Sequence, residues 1–423
     1  MTQPALPLTL AQPVQRGSNT TTFADNMRLP VHRWFRYSAG FSSEWARQVI
    51  QDTGATRVLD PFSGSGTTVI SAEQEGVQGL GVDVHPFVTR VASAKLNWRA
   101  DASIMRERAQ DVLREVERER EVRLPDSPLI GKCYPDLASL TSLLRIRDAV
   151  ERLRKGDEYD ELLWLVMVSI IRVCSPAGTA QWQYVLPNKT KSRVAEPLGA
   201  FEARVELFVD DMLQMQHFAD HPRARIIGAD ARTLDGVDDG WADLILTSPP
   251  YANNFDYADA TRLEQTFLGE VSGWGDLKPL RKSLMKSATQ HMGGWDAAEA
   301  FDSPLLIPIR DELIEVYSKL EAIRKTKGGN KAYHLMVAGY FLDSAQIWEA
   351  LRRVSAPGVK VCYVVGDSAP YGIHVPVERW LGELALSAGF KEWSFEKVRD
   401  RNTKWKNRKH THPLHEGRLW IEG

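Results

Sequence analysis

The spacing of apolar residues changes along the chain, and two early stretches have the length and composition of buried strands. Residues 56–60 read T-R-V-L-D and residues 79–84 read G-L-G-V-D-V, each with an acidic residue at or near its end. Between them, T-T-V-I-S-A-E-Q-E has the apolar spacing of a helix. This pattern predicts a β-loop-α-β unit, which opens a doubly wound parallel sheet.

The following stretch, residues 101–222, has the period of a helix. Met105, Ala109, Val112 and Val116 recur at helical spacing within a heavily charged background. Further helical patterns cover residues 137–153, 161–173 and 196–215. The sequence therefore predicts an all-helical insertion that interrupts the α/β pattern.

Strand patterns return in the second half of the chain. They occupy residues 224–230 (A-R-I-I-G-A-D), 242–251 (A-D-L-I-L-T-S-P-P-Y) and 359–367 (V-K-V-C-Y-V-V-G-D). A second insertion, residues 267–332, lies between the last two and contains several basic residues. The predicted fold class is α/β, a doubly wound Rossmann-like sheet with an inserted helical region.

An aromatic segment precedes the first predicted strand. Residues 31–41 read V-H-R-W-F-R-Y-S-A-G-F, and Ser42 after them is a suitable helix N-cap. We expect this lead-in segment to dock on the domain, behind an N-terminal tail of residues 1–30.

Composition narrows the class of protein only slightly. The 423 residues carry a formal net charge of −2, so nucleic-acid contacts would have to come from local clusters of Lys and Arg. Cys133, Cys174 and Cys362 are too widely spaced to suggest disulfides or a metal site, and a reducing cytoplasm suits them. The N-terminus does not resemble a signal peptide, and the longest apolar run, residues 162–171, is too short to cross a bilayer. We therefore expect no metal and no membrane.

A glycine-rich loop follows the first predicted strand. Residues 60–68 read D-P-F-S-G-S-G-T-T, with Gly64 and Gly66 placed where a backbone must approach a ligand at a helix N-terminus. Asp83 lies 23 positions after Asp60, close to the spacing at which a carboxylate meets ribose hydroxyls. Alone, the loop could be an ordinary tight turn and Asp83 a strand-end turn residue. Together they favour an adenosine-type cofactor.

The second motif is T-S-P-P-Y at residues 247–251, directly after the apolar strand L-I-L. Two prolines fix the backbone and lack N–H groups, so the segment presents carbonyl oxygens beside the Ser248 hydroxyl as acceptors for an amino group. Tyr251 could stack on a planar base. A lone Pro-Pro would be explained by a turn at the strand end, but the glycine loop upstream favours a catalytic motif.

These two motifs resemble those of the DNA amino-methyltransferase family, which modifies adenine N6 or cytosine N4. The resemblance implies a methyltransferase sheet with S-adenosylmethionine as cofactor, Asp83 on its ribose and Asp230 on its adenine edge. It assigns the target base to Ser248, Pro249, Pro250 and Tyr251. The methionyl end of the cofactor is assigned to Phe41, Asp60, Pro61, Phe62, Gly64, Gly66, Thr67 and Thr68.

The resemblance also suggests a division of the chain. After the tail of residues 1–30, residues 31–100 would be the cofactor-binding half and residues 223–266 the catalytic half of the methyltransferase domain. Residues 101–222 would be the helical insertion, and residues 267–332 a second insertion that could recognise DNA. Residues 333–423 would complete the sheet and carry a basic C-terminal segment. The cofactor loop precedes S-P-P-Y in this sequence, whereas one large subgroup of the family has the reverse order. We interpret the difference as a circular permutation of one sheet.

Ser248 bears on the identity of the base. The adenine-modifying members that this family resembles usually have Asp at this position, whereas a neutral Ser hydroxyl could accept from cytosine N4 and donate to N3. We therefore predict cytosine N4, with adenine N6 as the alternative. Acceptors at Ser248 and the Pro249 carbonyl would localise the amine lone pair for direct in-line attack. The base would have to flip out of the duplex to reach them.

Two segments could contact DNA. Residues 399–410 read R-D-R-N-T-K-W-K-N-R-K-H and suit phosphates, although a solvated basic tail explains them equally well. The candidate contacts are Arg399, Arg401, Lys404, Lys406, Arg408 and Lys409. Residues 181–184, Q-W-Q-Y, could read base edges or form an ordinary loop.

The predicted partner is double-stranded DNA in the prokaryotic cytoplasm, in association with the nucleoid. A homodimer and a separately acting cognate restriction nuclease stay open. Methylation of RNA or of a free nucleobase is the competing enzyme hypothesis, since the same pocket logic would serve any planar amine. The non-enzyme alternative is a catalytically silent DNA-binding module, against which the intact S-P-P-Y argues.

Overall fold

The computed structural model describes residues 23–37, 40–178, 190–252, 255–326, 331–401 and 412–423. The candidate base-reading segment 181–184 lies outside these residues, as do Lys404, Lys406, Arg408 and Lys409. The strands of the described chain are β1 (Arg57–Asp60), β2 (Gln78–Asp83), β3 (Arg225–Gly228), β4 (Ala242–Thr247), β5 (Ser355–Gly366), β6 (Glu392–Asp400) and β7 (His415–Glu422).

Helices of the described chain surround these strands. Their bounds are α1 (Ser43–Thr53), α2 (Thr67–Gln74), α3 (Pro86–Lys95), α4 (Ala102–Val116), α5 (Pro128–Cys133), α6 (Leu137–Arg152), α7 (Glu158–Ile170), α8 (Pro197–Met215), α9 (Tyr257–Ala260), α10 (Arg262–Leu268), α11 (Leu277–Ser283), α12 (Ala298–Phe301), α13 (Arg310–Arg324), α14 (Tyr333–Val354) and α15 (Val377–Ser387).

The strands form one sheet in the order β3-β2-β1-β4-β5-β7-β6. The pairings from β3 through β5 are parallel, whereas β7 runs antiparallel to both β5 and β6. Strand order reverses between β1 and β4, and ligands of open α/β sheets bind beyond the carboxyl ends of strands at such a point. The predicted fold class, a Rossmann-like methyltransferase sheet with inserted helices, is confirmed.

The strand patterns predicted from the sequence correspond to β1 to β5, with changes at several ends. β4 stops at Thr247 rather than near residue 251, because the prolines of S-P-P-Y lack the N–H groups that a strand pairing needs. β3 stops at Gly228, because Asp230 begins a turn in which its carboxylate accepts from the Arg232 N–H at 2.9 Å. β5 begins at Ser355 rather than near residue 359, because Ser355 pairs with Ala242 across a register shift. Gly358, in the left-handed region at φ +75°, lies within this bulged stretch.

Both faces of the central strands are buried, which explains their nearly continuous apolar runs. Val58 of β1 and Leu244 of β4 pack with α1 on one face. Leu59 and Ile245, the next residue of each strand, pack on the opposite face with α14 and α15. The Ser42 hydroxyl caps α1 by accepting from the Trp45 N–H at 3.3 Å, as predicted.

The helices α4, α6, α7 and α8 form a separate apolar layer with α3. The lead-in segment docks on it, with Trp34 stacked on Phe208 of α8 at 4.1 Å between ring centroids. Cys133, Cys174 and Cys362 are buried free thiols. Within the described ranges, no helix is long and apolar enough to cross a membrane.

Candidate active site

A cleft opens beyond the carboxyl ends of β1, β2, β3 and β4, where the change in strand order predicts a ligand site. It encloses about 640 Å³, counted out to its open side. The residues lining it are Tyr37, Pro61, Phe62, Gly64, Asp83, Val84, His85, Asp230, Ala231, Arg232, Ser248, Pro250, Tyr257, Ser283, Leu284, Met285 and Ile347. Residues of the glycine loop and of the S-P-P-Y motif therefore share one cavity.

The glycine loop is held against the end of β2. Gly64 and Gly66 have φ angles of +51° and +88°, a region that favours glycine. The Gly64 and His85 N–H groups each donate to Asp83 at 2.9 Å. Burial raises the pKa of Asp83 above its ordinary value, while these amides oppose the shift. A carboxylate offers about four acceptor positions, so Asp83 retains capacity for ligand hydroxyls.

Asp60 lies behind the cleft and joins its two motifs. Its carboxylate accepts at 2.6 Å from the Thr68 hydroxyl, at the start of α2, and at 2.6 Å from the Thr247 hydroxyl, at the end of β4. The Phe62 N–H completes the set at 3.1 Å. Burial raises the pKa of Asp60 to about 6. The geometry assigns Asp60 a structural contact between the loops rather than a place in the cleft lining.

The S-P-P-Y segment contributes two of its four residues to the lining of the cleft. Ser248 and Pro250 line it, and the Ser248 hydroxyl donates to the Val364 carbonyl at 3.3 Å. Tyr251 is half-buried beside the lining residues, and its hydroxyl shares a hydrogen bond with that of Ser248. Burial raises the pKa of Tyr251 well above its ordinary value, so the ring stays neutral.

Asp230 is engaged by a residue that sequence analysis did not single out. Arg232 contacts Asp230 through Nε at 3.0 Å and Nη2 at 2.5 Å, and it also reaches Asp343 at 3.3 Å. Lys286 of the second insertion shares the fully buried Asp343 at 2.6 Å. Ser283 of the same insertion accepts from Arg232 at 3.0 Å. This network fastens the second insertion to the rim of the cleft.

The structure brings together only some of the residues assigned to the site. Those lining the cleft are Pro61, Phe62, Gly64, Asp83, Asp230, Ser248 and Pro250, whereas Phe41, Asp60, Gly66, Thr67, Thr68, Pro249 and Tyr251 lie outside the lining. Phe41 packs edge-on against Trp45 at 5.2 Å between ring centroids. Of the described DNA candidates, Arg399 pairs with Glu416 at 2.8 Å, and Arg401 lies over the Tyr251 ring.

Sequence analysis missed the aromatic and imidazole part of the lining. Tyr37 belongs to the lead-in segment, and Tyr257 begins α9 a few residues after S-P-P-Y. His85 is buried with Nε2 at 3.0 Å from the Thr261 hydroxyl, and burial lowers its pKa to about 4. Its position two residues after Asp83 was the available signal, because β2 ends there and the chain must turn past the cleft.

No protein-family model matches the chain. It is 24% identical over 413 residues to the type II methyltransferase M.BsoBI of Geobacillus stearothermophilus, covering 88% of this chain and 80% of that protein. It is 23% identical over 412 residues to the type II methyltransferases M.AvaI of Nostoc sp. and of Anabaena variabilis, covering 87% of this chain and 81% of each. The chain is thus similar over most of its length to methyltransferases, in agreement with the resemblance of its motifs.

Proposed function

We propose that this protein is an S-adenosylmethionine-dependent DNA methyltransferase that modifies the exocyclic N4 of cytosine. The observation that carries the proposal is the shared cleft: the glycine loop after β1 and S-P-P-Y after β4 meet there, held together by Asp60. The similarity to type II methyltransferases supports both the methyl transfer and a DNA substrate.

The donor set of the cleft fits S-adenosylmethionine. Asp83 retains acceptor positions for a ribose diol, and the positive φ angles of Gly64 and Gly66 let the loop backbone curve past a ligand. Phe62 and Tyr37 supply flat apolar surface for an adenine ring. When bound, the cofactor supplies an electrophilic methyl group on a positively charged sulfur. Arg232 would have to share Asp230 with the adenine amino group, because its guanidinium already contacts both carboxylate oxygens.

The chemistry asked of this chain is to make an aromatic amine nucleophilic. The amine lone pair is delocalised into the ring, so acceptors at the Ser248 hydroxyl and the Pro249 carbonyl would draw its protons and localise the lone pair. The Ser248 hydroxyl can exchange the Val364 carbonyl for the amine while it keeps its hydrogen bond with Tyr251, because its bond to the Val364 carbonyl is long, at 3.3 Å. Alignment of the amine with the methyl group would supply much of the acceleration.

Ser248 is also our reason for preferring cytosine. Its neutral hydroxyl can accept from N4 and donate to the adjacent N3, whereas an ionised carboxylate at the same position could only accept. The base must leave the duplex to reach a cleft built at strand ends, so we propose base flipping, with Tyr251 replacing part of the lost stacking.

Mass spectrometry of nucleosides tests the assignment. Purified enzyme and labelled cofactor are offered duplex DNA, structured RNA and free nucleosides in parallel, and the products are identified. We expect N4-methylcytosine from duplex DNA, reduced strongly by Ser248→Ala and by Tyr251→Ala but not by the exposed control Ser394→Ala. N6-methyladenine without N4-methylcytosine would contradict the cytosine assignment, and labelling of RNA alone would contradict the DNA substrate.

A further inference from the structure

The side chain of Arg401 packs against the catalytic motif rather than extending into solvent. Its guanidinium carbon lies 5.3 Å from the centroid of the Tyr251 ring, within the range of a cation–π contact. One Nη donates to the Asp367 carbonyl at 2.9 Å, just past the end of β5. The side chain is half-buried, and its backbone N–H donates to the Leu414 carbonyl at 2.7 Å.

The contact is built into the end of β5. A Cβ atom placed on Gly366 would lie 2.5 Å from an Arg401 Nη and 3.2 Å from its Cδ, so any larger residue would displace the guanidinium from its present position. Asp367, the next residue, is fixed in turn, because its carboxylate accepts from the His415 N–H at 2.8 Å. Arg401 is therefore held from both sides while it contacts the tyrosine.

Tyr251 connects this contact to the acceptor hydroxyl. Its hydroxyl shares a hydrogen bond with Ser248, and the Ser368 hydroxyl donates to the carbonyl of Ala252 next to it. A guanidinium over one face of the ring fixes the plane of the ring and leaves the other face for a planar partner.

We propose that Arg401 is a positioning residue for base methylation, which sets the plane of Tyr251 and, through it, the Ser248 hydroxyl for the flipped base. This rests on the proposed function. It also assigns Arg401 a role different from the phosphate contact predicted from the basic sequence around it, and the two roles have different kinetic signatures. A phosphate contact changes affinity and its salt dependence. A positioning contact changes kcat.

The test uses steady-state methylation of duplex DNA together with DNA affinity over a salt series. Arg401→Gln removes the cation, Arg401→Lys keeps the charge without the planar group, and Gly366→Ala displaces an unaltered Arg401. Lys397→Gln on β6, an exposed residue paired with Asp400, controls for lost charge. Gly131→Ala, where a Cβ has nothing within 4 Å, controls for the glycine substitution. Thermal unfolding verifies that each variant is folded.

We expect Arg401→Gln and Gly366→Ala to lower kcat roughly three- to thirtyfold, the range of a cation–π contact, with KM for DNA and the salt slope unchanged. Arg401→Lys should retain part of kcat, and the two controls should match the wild type. An unchanged kcat with a salt slope reduced by about one unit in Arg401→Gln would overturn the inference in favour of a phosphate contact. Wild-type activity in Gly366→Ala would also overturn it. Absence of methyl transfer by the wild type would instead contradict the proposed function, and the inference with it.

Discussion

Asp60 contributes no atom to the cleft lining, yet it is the residue through which the two motifs meet. It accepts from hydroxyls on α2 and β4 that are far apart in sequence, and it is only 2% exposed. Removal from water disfavours its charged form, which raises its pKa from 3.8 to about 6. Titration of Asp60 should therefore contribute to the pH dependence of the free energy of unfolding.

We predict the sign of that dependence. Because the folded protein binds the Asp60 proton more tightly than the unfolded chain, the stabilising contribution is present below pH 3.8 and is lost as pH rises through about 6. From pH 4.5 to 7.5 the wild type should lose roughly 2 kcal/mol relative to Asp60→Asn. Urea unfolding of both proteins measures this difference, with the exposed Asp235→Asn as control. A difference that stays constant with pH would show that Asp60 does not titrate in this range.

Gly66 does not line the cleft, so it affects the glycine loop only through its own backbone conformation. It precedes α2 at φ +88°, and a Cβ would lie 3.4 Å from both Ala92 and Val69. Any L-residue would cost about 1–2 kcal/mol at this φ, and a branched one would also crowd α3. We expect Gly66→Val to abolish S-adenosylmethionine binding in calorimetric titration, whereas Gly131→Ala should bind normally. Unchanged affinity in a folded Gly66→Val protein would remove the loop from the site.

The lead-in segment and α8 depend on one buried carboxylate. Asp211, which is fully buried, accepts from the Val31 N–H at 3.0 Å, the Trp34 indole at 2.9 Å and the Arg33 guanidinium. The segment in turn delivers Tyr37 to the cleft. Docking of the lead-in segment on the helical layer is therefore coupled to the shape of the cleft.

We predict that Asp211→Asn destabilises the protein by about 3 kcal/mol or more, because several buried donors would compete for one amide oxygen. The neighbouring Asp210→Asn, at an exposed position of the same helix, should have little effect. Denaturant unfolding measures the stability of both variants. In limited proteolysis of Asp211→Asn, the first cleavage should fall in the lead-in segment, on the N-terminal side of Ser42. Equal stability of the two variants would show that the lead-in segment is not held by Asp211.

At the scale of the whole molecule, the net charge of −2 requires any DNA-binding surface to be a local cluster. The densest basic sequence is residues 399–410. The β6 and β7 strands on either side of it are antiparallel neighbours. Within the part of the chain that the structure describes, Arg401 is the residue of this basic sequence that contacts Tyr251.

Neutralising that cluster should weaken binding to all DNA sequences alike. The variant replaces Lys404, Lys406, Arg408 and Lys409 by Gln, and we expect the salt slope to flatten by up to about one unit per lost phosphate contact. The control removes equal charge from exposed positions of the helical insertion: Arg114, Arg123, Lys132 and Lys155. Affinity over a salt series compares them. An unaltered slope in the first variant would identify the segment as a solvated basic loop.

The sequence by itself determined the strands β1 to β5, the helical insertion and the two motifs. These are local properties: apolar period fixes the type of element, and glycine or proline fixes the backbone at a turn. The sequence did not determine which strands are neighbours in the sheet. Thr247 lies 187 residues from Asp60, yet its hydroxyl is 2.6 Å from the Asp60 carboxylate, because β1 and β4 pair.

Only the tertiary structure decided which side chains surround the site. Tyr37, Arg232 and Arg401 lie on three distant segments outside the two motifs, and each reaches the cleft or Tyr251. The physical reason is that a motif constrains its own backbone, whereas a contact between segments depends on the packing of every element between them. The tertiary structure also separated the assigned residues into two groups. Some, such as Asp83, line the cleft, and others, such as Asp60, hydrogen-bond to the segments around it from outside the lining.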